Sequence, residues 1–301
     1  MTDFRYILGA QKGLPTGVEV VQNTKSFYET LKELTDRYKI KRLGFDSRYV
    51  SLAQFNCLKK RLNGPVSLME ANNLIEHFRE VKDAGEIKLI RQALAVHQKA
   101  LQLMKKTIKP GLTERDVFLT LDQFVKSRGV GYSFPPIIAS GPNSCFPHAR
   151  VTDRRIKNNE LVLLDMGIDA KGYKSDLTRM FFLGRIATLV SRVNDAVYEA
   201  QQKAIKLIKP GVCIADIDRA ARGFLEEKGF GKYFGHALGH GVGLEIHEAP
   251  RLSQTNKAVL REGMVITIEP AVYLPNKFGI RLEEMVLVTR KGCEVLSGDI
   301  N

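Results

Sequence analysis

The sequence predicts a mixed α/β (α+β) protein: a small N-terminal α/β unit, then a larger domain built from two similar halves. Three observations predict it. Residues 1–80 alternate strand-like and helix-like segments, the pattern of a layered sheet. A long helical stripe begins near residue 80. Beyond it, helix punctuation and acidic pairs recur at an offset of 100 residues, drifting slightly toward the C-terminus.

The elements follow in order. Val18–Val21 is a short apolar strand candidate. Phe27, Tyr28, Leu31 and Leu34 have helical spacing, Arg42–Asp46 reads as a strand and its exit, and Leu52, Phe55, Leu58 and Leu62 suggest another helix. Ile87, Ile90, Leu94, Leu101, Met104 and Ile108 share one face of the long helix, which Pro110-Gly111 ends. His97 lies on that stripe and is expected to be packed there rather than to act as a ligand. The predicted domains are 1–80 and 81–301.

The repeat is specific. Ile108-Lys109-Pro110-Gly111-Leu112 matches Ile208-Lys209-Pro210-Gly211-Val212. Asp116, Phe124, Gly129 and Gly131 match Asp216, Phe224, Gly229 and Gly231. Thr113-x-x-Asp116 has the form of a capping box, whereas the second copy places Cys213, a weaker capper, at that position. His148 corresponds to His247. The apolar run ending in Asp165 corresponds to the one ending in Glu269, and Gly172-x-x-x-Asp176 to Gly279-x-x-x-Glu283. Each half thus offers two carboxylates from neighbouring strands, and a pseudo-two-fold axis would bring all four together.

Composition narrows the class. With 44% apolar and 26% charged residues, the chain has the make-up of a globular protein. No apolar run reaches the roughly 18 residues of a membrane span, and the N-terminus lacks the plan of a secretion signal. The four cysteines are widely spaced, which predicts free thiols in a reducing cytoplasm. The net charge of +13 is scattered, with Lys59-Lys60-Arg61 the longest pure basic run, so a solvated basic surface is expected rather than a nucleic-acid stripe.

The chemistry lies in Asp165, Asp176, His240, Glu269 and Glu283. A carboxylate ending an apolar strand is costly to bury unless a cation or hydrogen bonds compensate. Four carboxylates and one imidazole suit two divalent ions, a pair able to activate one water. Residues 235–248 hold three histidines among glycines, suited to one ligand and two substrate-positioning or proton-handling groups, and are not of the H-E-x-x-H type. Arg281, two residues before Glu283, could fix a ligand carboxylate, and the Tyr273 hydroxyl could do similar work.

Together these residues resemble the pita-bread metallopeptidases: methionine aminopeptidase, aminopeptidase P and prolidase, with creatinase as a relative. The resemblance covers about residue 80 to 297 and rests on LDMGIDAKGYKSDLTRMFFLG, GHALGHGVGLEIHEAP, TIEPAVY and GIRLEEMVLV. Arg281 before Glu283 and the extra N-terminal unit favour the Xaa-Pro branch (aminopeptidase P and prolidase). The resemblance implies that Asp165 binds one ion, that Asp176 and Glu283 bridge both, and that His240 and Glu269 bind the other. Glu269 would also serve as base on the shared water. His148, His236 and His247 would line the substrate pocket, and His148 and His247 would act in catalysis. Arg251 would hold the carboxylate of a dipeptide ending in proline. The implied cofactors are two divalent ions, with manganese favoured and cobalt or zinc as substitutes. The implied partners are a proline-containing di- or oligopeptide substrate and a second copy in a homodimer. The opening Asp3-Phe4-Arg5-Tyr6 is similar to a segment well inside the family's N-terminal domain, so that domain is expected to be shortened here. Two alternatives stand beside this reading: a non-catalytic binding protein on the same fold, and a methionine aminopeptidase.

Overall fold

The computed structural model describes residues 1–62, 64 and 66–298. It divides into two compact units, Met1–Ile75 and Glu76–Asn301.

In the first unit, the strands Arg42–Phe45 and Ser67–Glu70 pair in parallel, Arg42 opposite Ser67, and the helix Leu52–Arg61 makes the crossover between them. Ser26 and Ser51 start the helices Phe27–Arg37 and Leu52–Arg61 with capping boxes closed by Glu29 and Gln54. Val18–Val21 does not form the expected strand. Val18 is exposed, so the apolar run has no buried face to set a register. Its neighbourhood keeps one parallel bridge, Thr2 to Gln22.

In the second unit, Asp83 and Glu86 form a capping box that opens the helix Ala84–Thr107. Its buried face carries Ile90, Leu94, Leu101 and Met104, with His97 among them. The helix Glu114–Ser127 follows, and the pair returns as Thr188–Leu207 and Ile214–Glu227. Gly111 (φ +94°) and Gly211 (φ +84°) make the same left-handed turn between the paired helices.

The backbone pairing repeats as well. Gly111, Glu114 and Arg115 donate their N–H groups to the carbonyls of Ile156, Arg154 and Thr152. Gly211, Ile214 and Ala215 donate theirs to Leu260, Ala258 and Asn256. Each half then supplies an antiparallel strand pair. Glu160–Met166 pairs with Leu177–Leu183, Asp165 facing Thr178. Val265–Ile268 pairs with Glu284–Thr289, Ile268 facing Glu284. Both strand pairs are buried, and each of the two large apolar clusters draws residues from both halves, Val162 and Leu164 packing in one with Val265 and Met285, Leu161 in the other with Ile266 and Val286. The ends of these strands therefore meet in a largely apolar interior.

Candidate metal centre

Four strand ends and one short strand deliver the predicted ligands. Asp165 lies near the end of Glu160–Met166, Asp176 just before Leu177–Leu183, and Glu269 just after Val265–Ile268. Glu283 lies just before Glu284–Thr289, and His240 is the middle residue of the strand Gly239–Gly241. The glycines around His240 are dictated by crowding: a Cβ at Gly239 would strike the Thr267 carbonyl, and one at Gly241 the Ala249 carbonyl. Ligand atoms of Asp176, His240 and Glu283 all lie within 4.8 Å of one another. His240 Nε2 is 3.3 Å from Glu269 Oε1 and 3.6 Å from Asp176 Oδ2.

Arg281 anchors Asp165. Its Nη2 donates to Asp165 Oδ2 at 2.5 Å, Nη1 donates to the Tyr273 hydroxyl and the Pro147 carbonyl, and Nε donates to Thr178 Oγ1. Thr178 Oγ1 in turn donates to Glu283 Oε2 at 2.8 Å. One buried threonine thus links the arginine to a second carboxylate. Thr267 Oγ1 donates to Glu269 Oε1 at 3.3 Å and accepts the His240 N–H at 3.1 Å. Neither threonine stands out in the sequence, where β-branched residues are ordinary strand formers. The signal was spacing: each lies two residues from a ligand, on the same strand face.

The electrostatics call for a cation. Burial, then the charges of Glu283, Asp165 and Glu269, push Asp176 well above the usual carboxylate range. Burial, then Glu269 and Asp165, do the same to Glu283. Burial raises Glu269 too, but His240, His236 and Arg281 outweigh it and hold that group below its ordinary value. Burial raises Asp165 against the pull of Arg281. Among the described residues, Oδ1 of Asp165 and Oδ1 of Asp176 are buried without a hydrogen-bond partner. His240 Nδ1 lies 3.1 Å from the Gly241 carbonyl, which only accepts, so Nδ1 carries the proton. Nε2 faces the carboxylate oxygens of Glu269 and Asp176. An imidazole nitrogen set among buried carboxylate oxygens is a donor set that fits divalent ions.

The other candidates line the approach. The His247 ring packs edge-on to the His240 ring at 4.3 Å, and burial holds His247 below its ordinary value. His148 is exposed but close enough to His247 to weigh on its protonation. His236 Nε2 lies 3.4 Å from the Tyr273 hydroxyl, and burial lowers that histidine as well. Tyr273 is buried, pushed up to about 12 chiefly by burial. Arg251 is exposed on the strand Glu248–Leu252, and no hydrogen bond or ion pair among the described residues ties its side chain to the other candidates. His97 is fully buried in the long helix, bonded to Ser175 Oγ at 3.0 Å, and is not part of the ligand set.

Known proteins share this architecture. Residues 88–290 match metallopeptidase family M24, and residues 1–81 match the creatinase/prolidase N-terminal domain. The chain is 38% identical over 274 residues to the Xaa-Pro dipeptidase of Pyrococcus horikoshii, covering 89% of this chain and 78% of that one. It superposes on the Xaa-Pro dipeptidase from Bacillus anthracis with a TM-score of 0.94 at 34% identity, covering 99% and 83% of the two chains. It superposes on the X-Pro aminopeptidase from Thermotoga maritima with a TM-score of 0.89 at 36% identity, covering 98% and 84%. The duplicated halves thus form the pita-bread fold. Family membership implies divalent metal ions, in keeping with the unpartnered carboxylate oxygens. The chain belongs to metallopeptidase family M24 and carries a creatinase/prolidase N-terminal domain ahead of its peptidase region.

Proposed function

We propose that this chain hydrolyses the Xaa-Pro peptide bond, in dipeptides or at the N-terminus of longer peptides. The observation that carries the reading is the convergence of Asp176, His240 and Glu283 within 4.8 Å, beside the orphaned oxygens of Asp165 and Asp176. The relatives named for Xaa-Pro cleavage supply the substrate class.

In this reading Asp165, Asp176, His240, Glu269 and Glu283 hold two divalent ions, with manganese favoured by the oxygen-rich donor set. When bound, the ions provide Lewis acidity that activates water and polarises the scissile carbonyl. Glu269, held ionised by its neighbours, accepts the water's proton at a carboxylate oxygen. His148 and His247 donate to the oxygen on which negative charge develops. His236 and Tyr273 shape the pocket, and Arg281 holds Asp165 in place. Arg251 receives a substrate carboxylate from its exposed position, which would favour dipeptides. A complete ligand set argues against a non-catalytic binding role. Four unbonded cysteines accord with a cytoplasmic enzyme, and a homodimer is part of the same proposal.

The test is hydrolysis of Ala-Pro and of a longer Xaa-Pro-Xaa peptide with added manganese, beside an Asp176→Ala control. Cleavage of the dipeptide alone supports a prolidase and the role of Arg251, and cleavage of the longer peptide supports an aminopeptidase P. Absence of metal-dependent cleavage of either rejects the proposal.

A further inference from the structure

The two halves of the peptidase domain provide an internal comparison. Glu114 and Ile214 occupy equivalent positions, each following the N-cap residue of the second helix in its half. Both donate their backbone N–H to equivalent carbonyls, Arg154 and Ala258. Both side chains are fully buried. The fold therefore accepts an aliphatic residue at this position, and a carboxylate buried in only one copy calls for another reason.

The surroundings of Glu114 supply one. Its Oε1 accepts from Ser140 N at 2.7 Å, Ser140 Oγ at 2.8 Å and Asn143 Nδ2 at 3.1 Å. Its Oε2 accepts from Thr152 N at 3.1 Å, Thr152 Oγ1 at 2.6 Å and Asn143 Nδ2 at 3.3 Å. These donors are the two feet of one loop and a residue of its first turn. His148 lies on that loop. A second contact reaches the middle of the loop, where Arg281 Nη1 donates to the Pro147 carbonyl at 3.3 Å. Behind it, Ser144 Oγ accepts the Gly279 N–H at 2.8 Å, and any Cβ on Gly279 would collide with the Ser144 carbonyl. The second copy solves the same problem differently. There Asn256, at the position of Thr152, donates from Nδ2 to the Arg251 carbonyl at 2.7 Å and so braces its own loop.

We infer that Glu114 is the positioning residue for His148: its carboxylate clamps Ser140 and Thr152 together and thereby sets where the imidazole stands beside the metal residues. Glu114 does not touch substrate. The inference deepens the proposed function and rests on the role given there to His148. A misplacement of the order of 1 Å in a group that acts on the transition state costs about a hundredfold in rate.

The test uses the full-length protein with Glu114→Ile, the residue of the second copy, and the milder Glu114→Gln should the first fail to fold. Amide hydrogen exchange is expected to accelerate over residues 141–151 and to stay unchanged in the helix Ala84–Thr107. With Ala-Pro and manganese, kcat is expected to fall about a hundredfold with KM little moved. The same substitution made in a His148→Ala background should lower kcat less than about twofold, because the two changes remove one interaction. Unchanged exchange over 141–151 overturns the clamp. Equal losses of kcat in both backgrounds overturn the positioning of His148 and leave only a structural role. If the wild-type protein does not cleave Ala-Pro, the proposed function fails separately. Exchange and the imidazole NMR signal of His148 then decide the inference: a His148 signal unmoved by Glu114→Gln overturns it.

Discussion

Arg281 donates to one oxygen of Asp165, Oδ2, and leaves Oδ1 buried and without a hydrogen-bond partner among the described residues. The arginine therefore aims the carboxylate rather than satisfying it.

Arg281→Lys should uncouple these roles. Lysine keeps the charge but cannot serve Asp165, Thr178, Tyr273 and Pro147 from one planar fork. Losing an outer partner of a ligand typically costs about 10–100-fold in metal affinity. Manganese titration of the wild-type protein and Arg281→Lys should show that loss, and equal affinities would mean that Asp165 is held by something else.

Thr178→Val removes the hydroxyl that accepts from Arg281 and donates to Glu283 while keeping a β-branched shape in the strand Leu177–Leu183. A buried polar partner left unsatisfied costs about 1–3 kcal/mol. Urea denaturation with chelator present should show a loss in that range, and Thr178→Ser should restore most of it. A Thr178→Val variant as stable as wild type would remove this residue from the account.

The repeat predicts a stabilising change. Thr113 caps its helix with a side-chain bond to the Asp116 N–H, whereas Cys213 makes no such bond although its backbone is already extended. Cys213→Thr adds the missing acceptor opposite Asp216 and should contribute about 0.5–2 kcal/mol. Thermal melting should shift upward by about 2–4 °C per kcal/mol. A downward shift would mean that the Cys213 thiol packs in a way a hydroxyl cannot.

His97 makes stability depend on pH. Burial, with Arg179 adding to it, depresses this imidazole to about 3. Between about pH 6.5 and 3 the unfolded chain binds a proton at this position that the folded chain does not. Stability from this residue is therefore present above pH 6.5 and is lost as pH falls toward 3, at up to about 1.4 kcal/mol per pH unit. In His97→Gln that slope should flatten, as followed by denaturation across pH 4–7. An unchanged slope would place the proton uptake elsewhere.

Much of this was open to reading from residues alone, and for physical reasons. A carboxylate at the end of Leu161-Val162-Leu163-Leu164 has few explanations, and the acidic pairs recur with the helix punctuation. The long helix was read from its buried stripe, and its start was refined by the Asp83–Glu86 capping box. What stayed hidden depends on long-range contacts. Thr178 and Thr267 look like ordinary strand residues until the second half of the chain comes to meet them. Glu114 reads as a routine acidic first-turn residue and proves to be buried against a loop folded over it. Val18–Val21 shows the reverse case, an apolar run that forms no strand, with Val18 exposed and Val20 and Val21 only partly covered.

The most direct test of the central claim is the stoichiometry of manganese bound by the metal-stripped chain, measured by calorimetry beside Asp176→Asn. The account predicts two ions for the wild-type protein and the loss of at least one in the variant. A wild-type chain that binds no manganese, or an Asp176→Asn chain that binds it with unchanged stoichiometry and affinity, would contradict it.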